Sequence, residues 1–166
     1  MKKLAAIILT ALALSGCGIY SFTGTSIQPD IKSITIDFFE YRAARVNPSL
    51  ANDLTEGIKN QFRRLTKLEQ LDMDGDLEIS GAITNYEVSG SAFTSDEVAA
   101  QNRLVVSVSI TFENRKYPED NFENKTFSAY ADYDSSRSLD AVESTYCAEI
   151  IEKIIEDIFN ATVAQW

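Results

Sequence analysis

Two cysteines, Cys17 and Cys147, carry the most reactive side chains of this 166-residue chain, and no histidine exists to activate either. Ser-His-Asp and Cys-His catalysis are therefore closed to it, and the commonest metal ligand is missing. No G-x-S-x-G, phosphate-binding loop or G-x-G-x-x-G occurs. Acid–base work would fall to the 25 carboxylates, which offer isolated candidates rather than a marked pair. Asp72, Asp74 and Asp76 stand at the spacing that opens a calcium loop. Such a loop needs glycine at its sixth position and glutamate at its twelfth; here Gly75 is fourth and Ile83 twelfth. The segment reads as a plain turn. No catalytic residue, metal or cofactor is expected.

Cys17 has a different setting. Met1-Lys2-Lys3 is a positive start, Leu4 to Leu14 carry no charge, and Ser15 and Gly16 are small. That is the layout of a secretory signal, and the apolar run is shorter than the roughly 20 residues a bilayer span takes. Leu14-Ser15-Gly16-Cys17 resembles the bacterial lipobox, in which the thiol is acylated and cleavage leaves the cysteine first. Residues 1–16 are then a leader, 17–30 a lipidated tether with Gly, Ser, Thr and Pro29, and 31–166 a single domain. One acyl chain binds a membrane marginally, at about 0.8 kcal/mol per buried CH₂, so a three-chain anchor on Cys17 would hold firmly. An ordinary signal with a chance cysteine would leave no anchor. Gly18, not Asp, follows Cys17, and no acidic run comes after it. The expected address is the periplasmic face of an outer membrane. Cys147 is then left without a disulfide partner. A lone thiol in an oxidising compartment reads as core, with a reactive thiol as the alternative.

The formal charge is −10, and loss of Lys2 and Lys3 with the leader makes it −12. An acidic surface argues against nucleic acid and against broad attraction to anionic lipid. Positive charge is local: Arg42 and Arg45, then Lys59, Arg63, Arg64 and Lys67. The second set falls late in a predicted helix, where it complements the helix dipole. It reads either as solvated charge or as a contact for an anionic ligand.

Periodicity supplies the elements that must position these groups. Ile34, Ile36 and Phe38 alternate with Thr35 and Asp37, a half-buried strand. Residues 47–71 read as a helix, capped by Asn47, with Pro48 expected as the first helical residue. Its apolar stripe is Leu50, Leu54, Ile58, Phe62 and Leu65. Gly57 within it costs about 1 kcal/mol against alanine, which marks a close approach to another element. Residues 75–90 form a second strand, whose parity changes by Tyr86 and Val88 and so predicts a bulge or bend. In 102–114, Leu104, Val106, Val108, Ile110 and Phe112 face inward. Residues 121–133 make a fourth strand. From Ser138 to Trp166 a long helix carries two adjacent apolar rows. The expected fold is α+β, a two-layer sandwich in the order β-α-β-β-β-α. Two helices cover one face of a four-stranded, mainly antiparallel sheet.

The lipobox cysteine followed by GIYSFTGTSI, then ITIDFFEYRAARVNPSLANDLTEGIKNQF, GDLEISGAITNYEVSG, NRLVVSVSITFEN and the closing EDIFNATVAQW together resemble the LptE-type lipopolysaccharide-assembly lipoproteins in their Bacteroidetes form. The likeness runs through most of the chain after Cys17. It implies a non-enzymatic component of the outer-membrane lipopolysaccharide translocon, a plug and assembly factor for a large LptD-like β-barrel. Lipopolysaccharide itself is a candidate ligand. On that view Arg42, Arg45, Lys59, Arg63, Arg64 and Lys67 are candidate lipopolysaccharide contacts. Phe93 in the polar 89–100 loop, Tyr86 and Tyr130 are candidate barrel contacts, with Tyr117 and Tyr133 as further interface tyrosines. Each also has an ordinary structural explanation. The competing function is a periplasmic ligand- or cell-wall-binding lipoprotein, which calls for a deep apolar pocket with converging polar groups.

Overall fold

The computed structural model describes residues 27–91 and 100–164, so Cys17, Phe93 and the expected leader lie outside the described residues. The chain runs β1 (Ser33–Ile36), β2 (Glu40–Tyr41), α1 (Leu50–Leu65), β3 (Glu69–Leu71), β4 (Leu77–Ser91), β5 (Gln101–Asn114), a 3₁₀ turn (Pro118–Asp120), β6 (Phe122–Asp134) and α2 (Leu139–Val163). Two helices and one mixed six-stranded sheet result, ordered β3-β1-β4-β5-β6, with β2 also on β4.

The expected sandwich is present, but its sheet is neither four-stranded nor so largely antiparallel. β1 pairs parallel with both β3 and β4, and β2 pairs parallel with β4. Only β4-β5-β6 form an antiparallel meander. The two unforeseen strands are two and three residues long, too short for alternation to register. The helix also stops six residues before the expected Leu71. Thr66 is extended, and both its N–H (3.0 Å) and its hydroxyl (2.7 Å) donate to the Phe62 carbonyl, closing the helix end. That frees Glu69–Leu71 to lie beside β1, the crossover through α1 supplying the length a parallel pair needs.

α1 starts at Leu50, two residues after the expected Pro48, with Ser49 at the N-cap position, but Asn47 still supplies the capping side chain. Asn47 Oδ1 accepts the N–H of Ser49 at 3.1 Å and of Leu50 at 3.2 Å, satisfying donors that have no partner within the helix. Leu50, Leu54, Ile58 and Phe62 are buried against β1 and β3; burying each is worth roughly 1.5–3 kcal/mol. Leu65, expected in that stripe, is exposed. On α2, Val142, Ile150, Ile154 and Ile158 are buried over β5 and β6, with Cys147, Ile151 and Phe159 beside them. Phe62 and Phe159 meet edge to face at 5.1 Å between centroids and join the helices.

The inward row of β5 is buried throughout, as its alternation predicts. The parity change in β4 is a register shift between Ile83 and Asn85, a bulge that turns Tyr86 inward. Thr35 is buried although its alternation pointed it outward. The Asp74–Gly75 turn folds over it, and Gly75 N–H donates to its hydroxyl at 3.0 Å. Asp74 adopts φ 60° there, and a Cβ on Gly75 would fall 2.6 Å from the Thr35 nitrogen.

Candidate functional site

Between α1 and α2, on the side away from the sheet, runs a valley of about 770 Å³. Gly57, Cys147, Ile151 and Ile155 form its floor. Gly57 is what makes it: a Cβ there would overlap Ile155 Cδ1. The close approach expected of this glycine is thus to the second helix.

At one end of the valley four elements are tied together. The Tyr86 hydroxyl on β4 donates to Glu143 Oε1 on α2. Asn47 Nδ2, at the start of α1, donates to the same oxygen at 3.2 Å. Cys147 Sγ lies 3.7 Å from both the Asn47 amide and the Tyr86 hydroxyl. Asn47 N–H in turn donates to the Tyr41 hydroxyl at 3.2 Å, bringing in β2. Burial, and then the Glu143 carboxylate, hold the Tyr86 phenol well above its ordinary range. Burial does the same to the Cys147 thiol. A thiol held protonated and enclosed is a poor nucleophile, and the cluster's bonds tie β2, β4 and the two helices together. Cys147 is core, as its sequence setting suggested.

The basic residues do not gather. Arg42 pairs with Glu40 at 2.7 Å, both exposed, and Arg45 is exposed. Lys59 and Arg63 face one side of α1 and line an open depression of about 490 Å³ at the β3 edge. Phe38, 65% exposed, and Leu71 share it, as do Asp37, Glu56 and Asp72. Lys59 is 3.6 Å from Glu56; Arg63 donates to Asn60 at 2.7 Å and Gln70 at 3.2 Å. Arg64 points to the other side, onto the inter-helix valley, and Lys67 is exposed beyond the helix end. The sequence thus brings two of six cations together, beside apolar side chains it gave no reason to expect on the surface.

The tyrosines also separate. Tyr86 is core, with its hydroxyl taken by Glu143, and offers no surface. Tyr133 is buried and stacks on Tyr146 at 5.8 Å. Tyr117 donates to Asp30 at 3.0 Å. Tyr130 is 51% exposed on the helix-free face of the sheet. The Arg103 guanidinium lies 3.9 Å over its ring and grips Asp132 with two bonds of 2.7 and 2.8 Å. Around this group the open face is lined by small hydroxyls; Ser107 and Ser128, opposite each other, hydrogen-bond at 2.8 Å. Glu143 and Asn47 were not singled out as a pair by sequence. The one signal was a carboxylate set between the two apolar rows of α2.

Comparison with known proteins adds three findings. The family model described as "LptE: Lipopolysaccharide-assembly" matches residues 31–162. None of the curated proteins matches. Among solved structures, a hypothetical protein from Chlamydia trachomatis is similar in fold at 7% identity and a TM-score of 0.53, over 80% of this chain and 98% of that one. A minor lipoprotein from Acinetobacter baumannii is 14% identical with a TM-score of 0.48, over 77% and 89%.

Proposed function

This chain belongs to the LptE lipopolysaccharide-assembly family, and from that premise we propose that it is a lipid-anchored, non-enzymatic component of the outer-membrane lipopolysaccharide translocon, a plug and assembly factor for a large LptD-like β-barrel. The observation that carries this is the family match, which spans both helices and all six strands. The open sheet face supports it. A lumen-facing surface must be hydrated and polar, and the face around Tyr130 carries the Ser107–Ser128 hydroxyl pair and the Arg103–Asp132 ion pair, with Val105 opposite the tyrosine. Tyr130, and Phe93, which lies in the chain between β4 and β5, are our proposed barrel contacts. Cys17 is the proposed anchor, holding the domain at the periplasmic face of the membrane in which the barrel sits.

The β3 edge is our proposed site of direct contact with lipopolysaccharide. Lys59 and Arg63 stand there beside Phe38 and Leu71, cations next to apolar surface, and Arg63 is the cation that no carboxylate engages, since Glu56 pairs with Lys59 and Asp37 and Asp72 line the rest. The test is crosslinking in intact outer membranes followed by affinity isolation of the tagged chain. A large β-barrel should be captured with the native chain and lost with Cys17→Ala. A barrel that matures and carries lipopolysaccharide normally in cells lacking the chain would sink the proposal.

A further inference from the structure

The valley between α1 and α2 is more acidic than the β3-edge depression, where three carboxylates face two cations, and it shares only Glu156 with the depression beside Tyr130. Its rim carries Asp53 from α1 and Glu143, Glu152 and Glu156 from α2, against Arg64 alone. Among the described residues none of these four carboxylates forms an ion pair, although seven other carboxylates pair with Arg42, Lys59, Arg103, Arg115, Lys116 and Lys153. Both hydrogen bonds to Glu143 fall on Oε1, which leaves Oε2 to accept from an incoming group. The floor is apolar: Gly57 lies against Ile155, and Ala148, one turn before Ile151, adds little bulk.

These features select an occupant. An anionic lipid headgroup would meet carboxylates on both walls. A purely apolar chain would leave the rim charges unused. From Glu143 to Glu156 the trough runs about 20 Å at 1.5 Å per helical residue, and a valley between two packed helices accepts the ridge of a third. We propose that it is the docking site for an amphipathic helix of a partner protein whose apolar stripe is flanked by lysine or arginine.

The test uses the full mature chain in neutral phosphatidylcholine nanodiscs with labelled isoleucine methyls. The probes are a helical peptide of about 14 residues built from lysine and leucine, its glutamate–leucine counterpart, and phosphatidylglycerol vesicles. The lysine–leucine peptide should move the Ile151 and Ile155 Cδ1 signals while those of Ile79 and Ile110, on the sheet, stay put. Ala148→Arg, at an exposed position that fills the trough, should weaken binding at least tenfold. Glu152→Lys, which leaves the floor open, should weaken it several-fold. Both variants should keep the wild-type methyl pattern elsewhere. The proposal fails if the glutamate peptide or the anionic vesicles move the same methyls, if the lysine peptide maps to the sheet face or the β3 edge, or if both variants bind as the native chain does. Either result is independent of barrel capture.

Discussion

Gly57 on α1 lies directly against Ile155 on α2, so that any side chain at position 57 must displace it. Two opposing terms meet in Gly57→Ala: about 1 kcal/mol of helix propensity gained, and about 0.5–1.5 kcal/mol to push Ile155 off its rotamer. Their sum should be close to zero. Gly57→Leu has no such offset. It overfills the contact, forces the helices apart and should cost about 1–3 kcal/mol. Urea unfolding of the two variants checks both values.

Tyr86→Phe removes the donor that joins β4 to Glu143 on α2. The net loss should be about 1–2 kcal/mol. The same phenol shapes the alkaline limb. Its proton is held more tightly in the fold than in the unfolded chain. Its contribution is therefore complete below the ordinary tyrosine range near 10 and declines as pH rises past it. Unfolding free energy should fall with pH above about 10, and less steeply in Tyr86→Phe. A matched slope in the two proteins would contradict the assignment.

Asp76 governs part of the acid limb. Its Oδ2 accepts the N–H of Lys32 at 2.7 Å and of Ser33 at 3.2 Å, and Lys116 Nζ lies 3.0 Å from Oδ1. The Lys32 N–H, followed by Lys116, holds the carboxyl below its usual value. A depressed carboxylate stabilises the fold above the unfolded value near 3.9, and that stability is lost as pH falls through the lower folded one. Asp76→Asn should lower stability at pH 7 by about 1–2 kcal/mol and flatten the acid limb, read from thermal melts between pH 2 and 6.

Cys147 is enclosed and its thiol is held protonated. A disulfide-exchange reagent should modify it slowly in the native protein and at the free-thiol rate in urea. Fast native modification would mean that the Asn47–Tyr86–Glu143 cluster opens.

Elements with long, regular patterns were legible in the sequence, and short or context-dependent ones were not. Leu104 through Phe112 declared β5, the Tyr86 parity change declared the bulge, and Gly57 declared a close contact without naming Ile155. β2 and β3 were hidden because two or three residues show no period. The helix end at Leu65 was hidden because Thr66 stops it by side-chain and backbone bonds to Phe62, while Leu68 and Leu71 continue the apolar spacing. Of the site, the cations were visible but their directions were not. One residue of helical rotation sends Arg63 to the β3 edge and Arg64 to the inter-helix valley. The valley's acidic rim joins residues 90 and more positions apart, which no local pattern encodes.

The most direct measurement follows newly made lipopolysaccharide by pulse labelling in the native host while this chain is depleted. The account predicts that labelled lipopolysaccharide is retained in the inner membrane, and that the wild-type chain restores surface delivery while Cys17→Ala does not. Delivery to the surface at an unchanged rate in depleted cells would contradict it.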